Sequence, residues 1–265
     1  MTSSVSALQE ASSAASPDMG VLYGIGVGPG DPELLTHRAV RFLGEVDVIF
    51  AAASPKNDDS LALSIAAPHV RPDCEVLRLD FPMTRDTAIL QSAWEKNAHL
   101  ALGVLAAGRS AAFLTLGDPL IYSTFGYLLH ELRQREPRLR IEIAPGITSY
   151  QEAAAKSGTV LCQGKENLLL VSGVNENARL EAALKAADSA VILKTYKNVA
   201  DIAHLVAQSG RAEQAVFASR IGLSGECIAR GLGAIPATAH YLSLLLLPPQ
   251  RETDKEKPGG LGSGA

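Results

Sequence analysis

Short apolar runs separated by helix-periodic segments organise this chain. Val21–Ile25, Asp47–Ala53, Ser110–Leu116 and Leu139–Ala144 have the length and apolar density of buried strands. Cys74–Leu79 alternates and adds a fifth. Between them the apolar positions fall at helical spacing: Leu35, Ala39, Phe42 and Leu43, then Ser60–Ala67, then a long stretch from Thr87 to Ala107 that stops at Gly108. A further helix resumes near Ser123, with Phe125, Leu128, Leu129 and Leu132 as its inward stripe. Strands alternating with helices predict a parallel sheet with right-handed crossovers.

Beyond Pro145 a second α/β set begins. Ser149 and Glu152 have capping-box spacing, which predicts a helix ending at Gly158. Strands are expected at Asn167–Val171, Ala190–Lys194, Ala215–Ser219, Glu226–Ala229 and Tyr241–Leu247, with helices at Ala178–Ala187 and Val199–Gln208. The last three strands are too closely spaced for crossover helices, so antiparallel pairing and a mixed sheet follow. The expected fold class is α/β. Residues 19–144 form an N-terminal domain with a mostly parallel five-stranded sheet, and residues 145–248 form a C-terminal domain with a mixed sheet. The flanks read as disordered: residues 1–18 are rich in Ser and Ala, and 249–265 end in a Gly-rich tail.

The most distinctive stretch follows the first strand. Gly24, Gly26, Gly28 and Gly30 alternate with other residues, and Asp31-Pro32 then has the form of a helix N-cap with proline at the first helical position. A strand, a glycine loop and a helix in succession mark the junction where open α/β folds bind ligands. The register does not suit a dinucleotide. G-x-G-x-x-G requires glycine at the sixth position, where counting from Gly24 gives Pro29 and from Gly26 gives Asp31. The residues of the loop alone also leave open a tight turn with no ligand. Two other strand ends share its character: Gly117-Asp118-Pro119, and Pro145-Gly146-Ile147-Thr148-Ser149. A parallel sheet places all three on one rim.

Composition narrows the partners. The 265 residues are 47% hydrophobic with a net charge of -4 and a pI of about 5.9. That balance argues against nucleic acid, which usually demands a basic stripe. Cys74, Cys162 and Cys227 are far apart and the six histidines are scattered, so no protein-bound metal site is expected. No apolar run approaches the roughly 20 residues of a membrane span. A cytoplasmic protein with reduced thiols is the expectation.

Three motifs together, Gly24-Ile-Gly-Val-Gly-Pro-Gly-Asp31, Thr115-Leu-Gly-Asp-Pro119 and Pro145-Gly-Ile-Thr-Ser149, resemble those of the tetrapyrrole methylases, which use S-adenosylmethionine. The similarity spans Val21 to Leu247. Within that family the chain looks most like the precorrin-2 or cobalt-factor II carbon-20 methyltransferases of cobalamin synthesis. Phe81-Pro-Met-Thr-Arg-Asp86, Tyr122-Ser-Thr-Phe125 and Tyr241-Leu-Ser-Leu-Leu-Leu246 carry that narrower likeness.

The resemblance implies two α/β domains with the cofactor in a cleft between them, and a homodimer. It implies cofactor contacts at Pro29, Leu116, Gly117, Asp118, Ile121, Tyr122, Thr148, Ser149, Lys194 and Ile221. Many family members carry Met or another apolar residue near Lys194. A tetrapyrrole bearing many carboxylates calls for cations, and Arg38, Lys56, Arg85 and Lys194 are the expected ones, with Asp31 near the acceptor. Methyl transfer needs alignment more than proton chemistry, so the candidates for a base that removes the displaced proton are Tyr122 and Asp31. Methylation at another ring carbon, a ribosomal-RNA methylase of similar fold and a non-enzymatic nucleotide-binding module are the alternatives.

Overall fold

The structure is a computed structural model that describes residues 19–53, 60–173, 177–236 and 238–251. The chain divides into two compact units between Glu152 and Ala153.

The first unit carries five strands, β1 (Leu22–Gly26), β2 (Val48–Ala53), β3 (Glu75–Asp80), β4 (Ala111–Thr115) and β5 (Ile141–Ala144), in the order β3-β2-β4-β1-β5. Every pairing is parallel. The helices are α1 (His37–Leu43), α2 (Leu61–Ala66), α3 (Thr87–Ala106) and α4 (Phe125–Arg135). Alternate residues of each strand serve opposite faces. Leu22, Phe50 and Phe113 pack with Ala98, Ala101 and Leu105 of α3 and with Phe125, Leu128 and Leu132 of α4. Ile25, Ile49 and Leu114 pack with Phe42 and Leu43 of α1 and with Ala62 and Ile65 of α2.

This distribution follows from the strand order. The chain leaves β1 toward β2 but leaves β4 toward β5, so right-handed crossovers send α1 and α4 to opposite faces. The crevice between the ends of β1 and β4 is therefore the switch point of the sheet, the usual ligand position in such folds.

Two local expectations need correction. The helix anticipated from Asp31 does not run on. Asp31 caps a single 3-10 turn, Pro32–Leu34, by accepting from Glu33 N, and Leu35 is extended. Thr36 then caps α1, its hydroxyl accepting from Ala39 N at 3.2 Å. Two good caps compete here, and the helix grows from the second. Likewise α4 begins at Phe125 rather than near Ser123. Trp94 on α3 is half-buried and stacks on Tyr127 of α4, with ring centroids 4.4 Å apart. Phe81 is buried edge-on against Phe113 and belongs to the core.

The helix α5 (Ser149–Ser157) contains the division between the units. The second unit holds β6 (Leu168–Ser172), α6 (Asn177–Ala186), β7 (Ser189–Leu193), α7 (Val199–Gln208), β8 (Val216–Ser219), β9 (Cys227–Arg230) and β10 (Ser243–Leu247). Its sheet has the order β6-β7-β10-β8-β9. The β6–β7 pair is parallel and the other three pairs are antiparallel, the mixed sheet that the spacing predicts. One face packs Val171, Ile192, Phe217, Leu245 and Leu247 against α6 and α7. At the end of the last strand, Arg251 forms a bidentate pair with Glu166, at 2.7 and 3.0 Å.

Candidate functional site

The loops after β1, β4 and β5 meet in the first unit because glycines let their backbones touch. Gly117 N donates to Gly28 O at 2.8 Å, an isolated antiparallel bridge between the first two loops. A Cβ on Gly26 would lie 2.7 Å from Gly146 Cα and on the carbonyl oxygen of Gly117. A Cβ on Gly146 would fall on that same oxygen. Both positions therefore require glycine for close approach. Gly28 and Gly117 require it for another reason, since both have positive φ, +78° and +66°. Gly24 completes the set lower in the strand, where a Cβ would strike the ring of Phe125 at 2.5 Å.

Asp118 fixes the junction. Its Oδ2 accepts from Gly146 N at 3.1 Å and its Oδ1 accepts from Leu120 N at 2.9 Å. The carboxylate is thus a tie between two loops and caps no helix, since α4 begins seven residues later. Each carboxylate oxygen keeps lone-pair capacity for a further donor.

The loop continues through Ile121, which is half-buried, to Tyr122, which is exposed. Tyr122 sits at φ +52°, a left-handed conformation that costs a non-glycine residue about 1–2 kcal/mol. Below it the buried Thr115 hydroxyl bonds Ser123 Oγ at 2.8 Å, and Ser123 Oγ accepts from Phe125 N at 3.1 Å. Leu116, also half-buried, precedes the Gly117 turn.

On the third loop the cap is Thr148 rather than Ser149. Thr148 Oγ1 donates to Gln151 Oε1 at 2.8 Å, and Gln151 N lies 3.4 Å from Thr148 Oγ1. The side chain of Gln151 also accepts from Thr148 N at 2.9 Å. This is a capping box one residue earlier than Ser149 and Glu152 suggest. The proton of Thr148 is thus committed within the helix start. Thr148 is buried and Ser149 half-buried, and a Cβ on Gly117 would lie 3.9 Å from Thr148 Cα. Pro29, buried beside Gly28, belongs to the same junction. The structure therefore brings Pro29, Leu116, Gly117, Asp118, Thr148 and Ser149 to one rim.

The expected substrate residues are more dispersed. Asp31 is half-buried at the end of the first loop, Arg38 is exposed on α1, and Arg85 is exposed before Asp86, the cap of α3. Lys56 lies outside the described residues. In the second unit, Lys194 follows β7 at φ +57° and Ile221 is buried just beyond β8. Among the described residues no three His, Cys, Asp or Glu side chains are grouped as metal ligands.

The roles of Ser123 as a link between Thr115 and Phe125 N, of Gln151 in the cap and of Gly146 at the junction appear only in the structure. Gln151 was findable, since Thr-x-x-Gln is as good a box as Ser-x-x-Glu. Gly146 leaves no local signal, because what it must avoid is the carbonyl of a residue distant in sequence.

Residues 21–235 match the family model described as Tetrapyrrole (Corrin/Porphyrin) Methylases. The cobalt-precorrin-2 C(20)-methyltransferase of Salmonella typhimurium is 36% identical over 235 residues, spanning 88% of this chain and 98% of that protein. The precorrin-2 C(20)-methyltransferase of a Sinorhizobium species is 33% identical over 240 residues, spanning 87% of this chain and 96% of its relative. A uroporphyrin-III C-methyl transferase of Thermus thermophilus, solved in complex with S-adenyl homocysteine, shares the fold. Its TM-score is 0.61 at 24% identity, over 86% of this chain and 92% of that one.

Proposed function

The chain belongs to the tetrapyrrole (corrin/porphyrin) methylases, and on that premise we propose that it methylates precorrin-2 or its cobalt complex at carbon 20 with S-adenosylmethionine. The observation that carries the site is the apposition of Gly28, Gly117 and Gly146 at the switch point, tied by Asp118. The two relatives named for carbon 20, each covered almost end to end, support the position of transfer.

When bound, S-adenosylmethionine supplies a methyl group on a sulfonium that departs as a neutral thioether, so no acid is required to expel it. The residues present suit such a donor. A Cβ at Gly117 would sit in van der Waals contact with Thr148 Cα, 3.9 Å away, and glycine leaves that volume beside Thr148 unfilled. Asp118 retains acceptor capacity for a hydroxyl or an ammonium group. Pro29, Leu116, Gly117, Asp118, Ile121, Tyr122, Thr148 and Ser149 are the proposed donor contacts, and Lys194 and Ile221 carry the same role from the second unit. Holding two reactants in line supplies roughly 7–11 kcal/mol in favourable cases, which makes rigid loops the main catalytic device.

The methylated carbon must then lose a proton. Tyr122 and Asp31 are the proposed acceptors. One oxygen of Asp31 is engaged with Glu33 N, and the other makes no hydrogen bond among the described residues. Arg38, Lys56 and Arg85 are proposed to meet the carboxylates of the macrocycle. We also propose a cytoplasmic homodimer.

The test is incubation of the purified protein with methyl-labelled S-adenosylmethionine and precorrin-2, with and without cobalt. The expected product gains one methyl group, located at carbon 20 by NMR. A label on another ring carbon makes the protein a methylase of different position, and no label on either substrate overturns the proposal.

A further inference from the structure

Among the described residues of the first unit, Tyr122 alone of the non-glycines has positive φ, and it is 52% exposed. A left-handed tyrosine at the surface gains little from burial, so its strain is held by what surrounds it. The loop that carries it shows the holder. Thr115 ends β4 and Ser123 follows Tyr122, and their hydroxyls meet at 2.8 Å across the base of the loop.

This pair is a closed chain of donors. Phe125 N donates to Ser123 Oγ at 3.1 Å, and Thr115 Oγ1 donates to Leu116 O at 3.4 Å. With Ser123 as the donor to Thr115, each hydroxyl gives one proton and accepts one. Thr115 is buried and Ser123 half-buried, so little water competes for the pair. The amino arm of the loop is anchored to the first glycine loop, through Val27 N to Thr115 O at 3.0 Å and Gly117 N to Gly28 O at 2.8 Å. The carboxyl arm is held by Asp118, through Leu120 N and Ile121 N, and then by Ser123. Ser123 therefore ties the residue before it to the end of β4.

We infer that Thr115 and Ser123 are positioning residues whose hydroxyl pair keeps Tyr122 left-handed in the unliganded protein, set to meet the methyl donor. The inference rests on the proposed donor contact of Tyr122. Opening the clasp lets Tyr122 relax to an ordinary conformation, which binding must then reverse. Apparent affinity falls with the fraction of molecules that still hold the competent form. For one left-handed residue that amounts to about 5- to 30-fold.

Glycine separates this role from ordinary stabilisation, because it adopts positive φ without strain and has no side chain to place. The experiment is calorimetric titration with S-adenosylhomocysteine, alongside thermal unfolding, of wild type, Ser123→Ala, Thr115→Val, Thr115→Ser, Tyr122→Gly and the double variant Ser123→Ala with Tyr122→Gly. Ser123→Ala and Thr115→Val should each bind about 5- to 30-fold more weakly, while Thr115→Ser, which keeps the hydroxyl, binds like wild type. Tyr122→Gly should bind more weakly than wild type, and adding Ser123→Ala to it should change affinity by no more than about twofold. Wild-type affinity in Ser123→Ala and Thr115→Val overturns the inference even if Tm falls, and makes the clasp a part of the fold alone. An equal loss from Ser123→Ala with and without Tyr122→Gly also overturns it, since the clasp would then act through some other group. Failure of the wild type itself to bind S-adenosylhomocysteine rejects the proposed donor site, and the inference falls with it.

Discussion

The carboxylate of Asp118 accepts the backbone N–H of Gly146 across 3.1 Å, joining the turn after β4 to the turn after β5. These residues are 28 positions apart in the chain, yet they hold the two loops that flank the end of β1.

Asp118→Ala removes the acceptor for Gly146 N and for Leu120 N together. Unfolding in urea should show a loss of about 1–3 kcal/mol, the usual cost of stranding partly buried donors. Donor affinity, measured by calorimetry, should fall by more than that loss of stability alone would produce. Asp118→Asn should be intermediate, since its oxygen can serve one of the two N–H groups while its NH2 group cannot accept from the other. Wild-type affinity in Asp118→Ala would leave the residue a purely structural tie.

Glycine substitutions should split by location. Gly146→Ala drives a methyl group into the Gly117 carbonyl, so the loops must part and both folding yield and activity should drop sharply. Gly103 lies exposed within α3 with nothing within 4 Å of an added Cβ. Gly103→Ala should therefore raise stability by about 0.5–1 kcal/mol and leave turnover unchanged. Calorimetric Tm and specific activity of the two variants provide the comparison.

Acidification should expose one ion pair of the second unit. Glu226 accepts from Lys156 Nζ at 2.7 Å and from Gly222 N at 2.6 Å, and these bonds, with Lys156 first, lower its pKa below the ordinary glutamate value. A carboxylate with a depressed folded pKa contributes stability above its unfolded pKa. That contribution is lost as pH falls through the folded value. Wild type should thus be more stable than Glu226→Gln near neutral pH, and the difference should close below about pH 4. Urea unfolding at several pH values reads this directly. A gap that persists into acid would assign the effect to packing.

Arg85 is exposed just ahead of the α3 cap. Arg85→Ala should raise the KM for the tetrapyrrole several-fold while the affinity for S-adenosylmethionine stays constant. Steady-state kinetics with each substrate varied in turn distinguishes this from an uninvolved surface charge, for which both constants would hold.

Much of the fold is legible in the sequence because its signals are local. Ser110–Leu116 and Val21–Ile25 are apolar enough to be strands in any context, and the spacing after Ala215 excludes crossover helices. The loops are legible as glycine loops but not as a junction. Asp31 and Thr36 are both sound caps by residue type, and the choice between them is made by the backbone, which turns extended at Leu35. Thr148 and Ser149 pose the same choice, resolved by the side chain of Gln151. The tie made by Asp118 is hidden from the sequence because its partner, Gly146 N, lies on another strand end. What the sequence withholds is long-range backbone contact, which leaves no periodic mark.

The placement of β1 between β4 and β5 bears on how the protein is made. Val21 N bonds Ser110 Oγ 89 residues downstream, and the other neighbour of β1 comes later still. A nascent chain therefore carries its first strand unpaired until the fourth emerges from the ribosome, and open on one flank until the fifth, and closing so long a loop is slow. The junction of the three glycine loops cannot assemble in an incomplete N-terminal fragment, however intact its glycines. Truncation before Ala144 would leave a central strand without one flank and exposed to pairing with other chains.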